Sequence, residues 1–523
     1  MKRSDFLWIL PSGLILGASL ALVSPGAFLS GWLAFSLLAL LSLIGLRASH
    51  SLAGGEKTLA WILIVAFALR LALGVGSYLL EPVIGHDNKV NQAGYLFTDA
   101  YTRDTQAWDL ASSTNSLMNA FDQRLVSDQY GGMLFTSSVI YRYISPDAHR
   151  PLLVTLLAAL FGTLGVAFVW ATGKRISSAA LLPRVAALIF AFYPEAILQG
   201  AAQMREPFLM TFIAISFYGV VEWQASRARL PWLWMLLGLA GMLLFSPGFI
   251  LATLVIAGGW LYFSRGERRI PWQGVVVALV IFGIALIALS LSWNNLVADR
   301  SGGPLGIIGN WARDTARWNQ QILKGSSGIV QLLFDKLPAG IQIPFVALYG
   351  ILQPVLPAAI FDASTPFWQI LGIFRALGWY ILLPFVAYAP FSAWDMAAQQ
   401  KRRWLWLGLA VWIWILIAAL RGGADQWDNP RYRVILLAWE ALIAAQAFLA
   451  LKQGLKRWWL RILWVEAIVL LVFTHWYMYR YLNIGFNIGI RNTLILAIGL
   501  SLLLVLGDWL VEKWRTWFLP PTR

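Results

Sequence analysis

Residues 151–175 read PLLVTLLAALFGTLGVAFVWATGKR, with no charged side chain from Pro151 to Gly173 and two cations, Lys174 and Arg175, immediately after. As a helix rising about 1.5 Å per residue, such a run crosses a hydrocarbon core of roughly 30 Å. Lipid offers nothing to backbone N–H and C=O groups, so a spanning segment satisfies them internally as a helix. Cations directly after the apolar run fit the cytosolic boundary of a membrane helix.

The same pattern recurs along the chain. Hydropathy places spans at about 7–24, 29–46, 58–80, 151–171, 182–199, 207–223, 231–246, 248–264, 273–293, 366–390, 404–420, 432–451, 460–478 and 491–510. The 523 residues are 59% apolar and 12% charged, with a mean hydropathy of +0.67. A soluble chain carries about 25% charged residues. The expected fold is an all-α polytopic membrane protein of about 13–14 transmembrane helices. A further apolar stretch, 338–361, contains Pro338, Pro344, Pro354 and Pro357 and reads as a broken or re-entrant element.

Charge orients the bundle. Alternate junctions carry the cations (Lys174/Arg175/Arg184, Arg227/Arg229, Lys401/Arg402/Arg403, Lys513/Arg515 among them), so that side is read as the cytosol. Nearly all of the formal net charge of +15 sits there, where anionic lipid rather than nucleic acid is the partner it fits. Most aspartates fall on the other side, together with Glu206, and function is expected on that outer face. Residues 7–24 are long for a signal-peptide core and read as a retained span. The absence of cysteine excludes disulfides, thiolate metal sites and cysteine nucleophiles. The 29 tryptophans read mainly as interfacial belts; Trp108, Trp311 and Trp318 lie in outer loops, where stacking on a sugar or polyprenyl chain is the alternative reading.

Three outer loops stand out: 81–150, 294–365 and 421–431. The first contains Gly94–Ala111, GYLFTDAYTRDTQAWDLA, with Asp99, Asp104, Asp109 and Arg103. Thr98 or Asp99 is the expected N-cap of an amphipathic surface helix, with Tyr101, Trp108 and Ala111 on one face and Arg103 and Asp104 elsewhere. A second interfacial helix is expected around Trp311 and Trp318, carrying Arg313 and Arg317 at i, i+4. Arg205-Glu206-Pro207 occupies a tight outer turn, read either as a local salt bridge or as an anion-holding Arg beside an acceptor carboxylate. Asn429-Pro430-Arg431-Tyr432-Arg433 opens a span with two arginines suited to lipid headgroups or a substrate phosphate. Arg70, Arg375, Glu440 and Glu466 fall within spans, where a charge costs roughly 2.5–3.5 kcal/mol, and are expected either to pair with one another or to line a proton or ion path. His86-Asp87 and the spaced aspartates admit a divalent cation, but four scattered histidines give no metal-ligand spacing, so no obligatory metal or cofactor is expected.

Taken in order, FTDAYTRDTQAWDLA, then YRYISPDAHRPLLVTLLAALFGTLGVAFVWATGKR, then LIFAFYPEAILQGAAQMREPFLMTFIAISFYG, and later NPRYRVILLAWEALIAAQA, the chain resembles the GT-C glycosyltransferases. The likeness is to the protein O-mannosyltransferase and lipid A aminoarabinose transferase branch (glycosyltransferase family 39-like), and covers 58–224 and, more loosely, 366–451. It implies a GT-C core at 58–293 with a catalytic first outer loop at 81–150. An added helix pair at 1–57 precedes it, and an outer loop with interfacial helices (294–365) and C-terminal spans (366–523) follow. It further implies an inverting transfer from a polyprenyl-phosphate-linked sugar to a hydroxyl on a protein, lipid or glycan, at the periplasmic side of a bacterial inner membrane. The general base it implies matches Asp99, with Asp104 the alternative. Arg205, Arg431, Arg433, Arg313 and Arg317 are the donor-phosphate candidates; Arg103, Glu206, Trp108 and Tyr101 are the other substrate contacts. A polysaccharide polymerase or O-antigen ligase, and a lipid or solute transporter, are the competing readings.

Overall fold

A computed structural model describes residues 3–122, 130–264, 276, 280, 338–394, 396–423, 425–454 and 456–518. The expected span at 273–293, apart from residues 276 and 280, and the expected interfacial helix with Trp311, Arg313, Arg317 and Trp318 lie outside the described residues.

The described chain is helical and, among these residues, without strands. In order the helices are α1 (Arg3–Leu22), α2 (Phe28–Leu52), α3 (Lys57–Ile84), α4 (Lys89–Gln92), α5 (Thr98–Ser112), α6 (Gly132–Ile144), α7 (Pro151–Ile176), α8 (Leu181–Phe192), α9 (Pro194–Gly200) and α10 (Glu206–Ser226). They continue as α11 (Leu230–Phe245), α12 (Gly248–Phe263), α13 (Ala339–Ile351), α14 (Leu356–Ile360), α15 (Pro366–Trp394), α16 (Ala398–Gly422), α17 (Asp428–Val434), α18 (Leu437–Lys452), α19 (Arg457–Leu482) and α20 (Gly489–Phe518). Nine are long and apolar enough to cross a membrane, and α8–α9 and α17–α18 are each a bent pair. With the shorter apolar α11 and α12, every expected span inside the described residues has its helix. The protein is an all-α polytopic membrane protein. The proline-rich stretch is broken, as α13 and α14.

Helix α7, the run that opens the sequence argument, is buried along most of its length and packs against α2, α3, α8 and α10. Small residues permit this approach. A Cβ on Gly173 would stand 2.8 Å from the backbone of Pro183, and one on Gly165 would stand 2.6 Å from the ring of Phe190. At the other extreme, α19 and α20 bury almost nothing, as expected of helices facing lipid.

The junction cations gather at one end of the bundle. Lys174 Nζ lies 2.9 Å from Glu56, Arg175 pairs with Glu222, Arg403 donates to the Ile176 carbonyl at 3.4 Å, and Arg47 meets Asp5 at 3.1 Å. Asp99, Glu206 and Arg431 meet at the opposite end.

Two breaks in the helices set up the polar interior. Helix α8 ends at Phe192 and α9 starts at Pro194, bent by 55°. Pro194 has no N–H, so the carbonyl of Phe190 loses its helical donor. Arg70 of α3 supplies the replacement: its guanidinium donates to the carbonyls of Phe190 (3.4 Å), Ala191 (2.9 Å) and Ala66 (3.1 Å). Glu195, one residue past the proline, accepts from Arg375 Nε of α15 at 2.6 Å, both side chains fully buried, and Arg375 also lies on the Trp427 ring. Arg70 and Arg375 therefore pair neither with each other nor with Glu440 or Glu466; a helix break and Glu195, a residue given no role above, take them instead. Removing one partner of such a buried pair costs about 3–5 kcal/mol. Glu195→Ala is expected to lower the thermal midpoint in detergent sharply, and the double change Glu195→Leu/Arg375→Met is expected to recover most of the loss.

Candidate functional site

Helix α5 begins at Thr98 with Phe97 as its N-cap, and no side chain caps it. Asp99 therefore sits in the first turn, where a carboxylate is favoured by the helix dipole. The helix buries Ala100, Arg103, Asp104, Ala107, Leu110 and Ala111, a stripe at i, i+3, i+4 and i+7 spacing. The helix is amphipathic, but Arg103 and Asp104 belong to its inward face, contrary to the sequence expectation. Three donors make a buried Asp104 tolerable. Tyr95 Oη donates to it at 2.6 Å, Tyr141 Oη donates to the other carboxylate oxygen, and His149 Nε2 stands 2.7 Å away. Burial and the neighbouring Asp104 carboxylate push the Tyr95 and Tyr141 hydroxyls well above the usual phenol range. Trp108 stacks on His149 with ring centroids 5.3 Å apart, so one face of this expected sugar platform is occupied. At the far end of α5, Arg142 of α6 donates to the carbonyls of Leu110 (2.5 Å), Ala111 (3.0 Å), Ser113 (2.8 Å) and Asn115 (2.8 Å), tying down the last turn.

Asp104 thus holds α5 in place. Asp104→Ala strands two tyrosine hydroxyls and an imidazole, at about 1–3 kcal/mol for each buried group left unsatisfied. The expected result is a clear drop in thermal midpoint, with Asp104→Asn, which keeps an acceptor oxygen, milder.

Asp99 differs in every respect. Its side chain is 51% exposed, against 1% for Asp104. Its Oδ2 lies 2.7 Å from Arg431 Nη1, on α17. Arg431 Nε in turn lies 2.7 Å from Glu206 Oε1, at the start of α10, and Nη1 is 3.6 Å from Asp428. Glu206 is fully buried, and its Oε2 has no hydrogen-bond partner among the described residues. Arg205 stands 4.0 Å from Glu206, lies over the Tyr130 ring at 5.4 Å, and leaves its Nε without a hydrogen-bond acceptor among those residues. Arg103 donates to the Gln203 carbonyl at 3.3 Å. Burial by itself raises the Asp99 carboxyl; Arg431 first, then Arg103 and Arg205, outweigh it and hold the group below the usual carboxylate range. Pro207 in the first turn of α10 has no N–H to leave without an acceptor, so it suits a helix that starts directly after Arg205. Segments around residues 99, 205 and 431 converge on one guanidinium.

No family model matches this sequence, and a search of curated proteins finds no match. Among solved structures, the chain is weakly similar to the archaeal oligosaccharyltransferase AglB from Archaeoglobus fulgidus in complex with an inhibitory peptide and a dolichol-phosphate. Identity is 13% and the TM-score 0.40, over 86% of this chain and 56% of that one. The chain therefore spans little more than half the length of that protein.

Of the residues singled out by sequence, Asp99, Arg103, Arg205, Glu206 and Arg431 share this cluster. Tyr101 instead makes an edge contact with Tyr95, of the Asp104 network, centroids 5.4 Å apart. Arg433 does not belong. Two residues from Arg431 on a helix means about 200° of rotation, and Arg433 points inward, 3.4 Å over the Trp379 ring, donating to the Gln353 carbonyl at 3.0 Å. Glu440, near it, has no hydrogen-bond partner for either carboxylate oxygen among the described residues. Four participants were given no role by the sequence: Tyr95, Tyr141 and His149 on Asp104, and Asp428 on Arg431. The signal for Asp428 was its i, i+3 spacing to Arg431; nothing local marks Tyr141 or His149.

Proposed function

We propose that this protein is a membrane glycosyltransferase that moves a sugar from a polyprenyl-phosphate-linked donor to an acceptor hydroxyl, with inversion, on the extracytoplasmic face of a bacterial inner membrane. The observation that carries this reading is the Asp99–Arg431–Glu206 cluster, which unites an exposed carboxylate with a guanidinium suited to phosphate at the end of the bundle opposite the basic junctions.

In this reading Asp99 takes the proton of the acceptor hydroxyl as its oxygen forms a bond to the anomeric carbon. The bond from that carbon to the donor phosphate breaks, and its electron pair leaves on the phosphate oxygen. Arg431 and Arg205 stabilise the charge that grows there. Glu206 fixes Arg431 through Nε and leaves Nη1 to face the open side. Guanidinium is suited to phosphate because its planar fork can donate two parallel hydrogen bonds. A lipid-linked donor enters sideways from the bilayer, and the acceptor is a protein, lipid or glycan. The carboxylates of Asp99, Glu206 and Asp428 all turn toward Arg431, and in this reading no obligatory metal takes part.

The test is purified protein in liposomes with radiolabelled polyprenyl-phosphate sugar and candidate acceptors, with and without EDTA. Transfer of label that survives EDTA is expected. Movement of lipid or solute across the bilayer without transfer would make the protein a transporter and overturn the reading.

A further inference from the structure

The geometry assigns Arg431 a second task, which rests on the function proposed above: we propose that Arg431 masks Asp99 until a lipid phosphate draws it away, so that the base becomes available only once donor is bound. The contact that carries this is the 2.7 Å pair between Arg431 Nη1 and Asp99 Oδ2. A carboxylate held this way by a guanidinium is charged but a weak proton acceptor, because taking a proton destroys the ion pair. The cluster as folded is thus well made for phosphate and badly made for deprotonating a hydroxyl.

The arrangement around Arg431 allows the change to be local. Glu206 is buried and holds Nε at 2.7 Å, so one edge of the guanidinium stays fixed. The other edge lies between Asp99 at 2.7 Å and Asp428 at 3.6 Å. A small rotation about the Glu206 contact moves Nη1 from Asp99 toward Asp428 or toward an incoming phosphate. Asp99, half exposed and in the first turn of α5, then meets water or an acceptor hydroxyl. No helix need move. Arg205, 4.0 Å from Glu206, places a second positive charge beside the site of the phosphate.

The consequence is an order of events. Without donor, Asp99 is silent and no activated hydroxyl stands beside an empty donor site. With donor, phosphate and Asp99 compete for one guanidinium, so removing the Asp99 charge strengthens phosphate binding while abolishing transfer. Relief of like-charge repulsion would also tighten binding, so the gain is read together with the exposure of the Asp99 carboxylate when phosphate is bound.

The experiment measures binding of polyprenyl phosphate, the carrier without its sugar, to the full-length protein and to Asp99→Asn in detergent, alongside transfer from the sugar-loaded donor. The expected result is transfer lost and polyprenyl phosphate bound roughly three- to tenfold tighter by the variant, a range set by a half-exposed charge-assisted pair. Transfer lost with binding unchanged or weaker overturns the masking and leaves Asp99 as the base. Transfer retained overturns the assignment of the base itself, and the masking with it. A second measurement needs no variant. Carbodiimide modification of Asp99 in the wild-type protein, followed by peptide mass, is expected to speed up when polyprenyl phosphate is added; protection of Asp99 by the same lipid contradicts the proposal.

Discussion

Asp99→Asn is expected to lower sugar transfer by about 10²–10⁴-fold, the range general-base assistance supplies, while leaving the thermal midpoint close to wild type. The two halves of that expectation come from the same geometry. Asn keeps the size of Asp and an oxygen facing Arg431, and the side chain is half exposed, so little packing is lost. It cannot accept a proton. Steady-state transfer and thermal unfolding on one preparation check both halves together. The comparison with Asp104 sharpens it: Asp104→Ala is expected to fail first in stability, because that carboxylate is buried beneath Tyr95, Tyr141 and His149.

Arg431→Ala is the more damaging change. It removes the cation proposed to meet the donor phosphate, worth about 10²–10³ in rate by analogy with a lost oxyanion donor. It also leaves Glu206 buried without its strongest partner, and breaking a buried pair from one side costs about 3–5 kcal/mol. Loss of transfer together with a large fall in thermal midpoint is expected. Arg431→Gln separates the electrostatic part, because it retains a donor for Glu206. In wild type the Asp99 carboxyl lies below the usual range, so its charged form persists as the pH drops and is lost only as the pH falls through that lowered value. Removing the Arg431 charge leaves burial, which raises the carboxyl, with only Arg103 and Arg205 opposing it. The acidic limb of the kcat/KM–pH profile, which reports the donor-free protein, is therefore expected to move to higher pH in Arg431→Gln; an unmoved limb would mean that Asp99 is not the group it reports.

How much of this was legible in the sequence differs by scale. The spans were, because an uncharged run such as Pro151–Gly173 has one stable solution in lipid. The bends inside them were less so. Pro194 marks the α8–α9 break, but the span at 182–199 reads as continuous by hydropathy, and only the fold shows Arg70 arriving from α3 to satisfy the freed carbonyls. The same holds for α17–α18, bent by 75° after a single apolar run. Within the site, Arg205-Glu206 stood out because charge at a span boundary is conspicuous, and Asp99 because it lies in an acid-rich outer loop and matches the base that the resemblance implies. Arg431 and Arg433 looked equivalent; their two-residue spacing on a helix already places them on opposite sides, and the structure parts them. Asp104 looked as open as Asp99 because its three partners come from residues 95, 141 and 149, and only tertiary folding brings residues 141 and 149 to it. Local sequence marks where charge occurs. Whether that charge is buried and neutralised or left open to solvent depends on contacts that no short window contains.

The most direct test of the account is the stereochemistry of a single transfer. A polyprenyl-phosphate sugar of defined anomeric configuration is supplied to the purified protein with its acceptor, and the product linkage is read by NMR beside the Asp99→Asn variant. The account predicts the opposite anomer in the wild-type product and essentially none from the variant. A product that retains the donor's configuration, or equal transfer by both proteins, would contradict a one-step displacement assisted by Asp99.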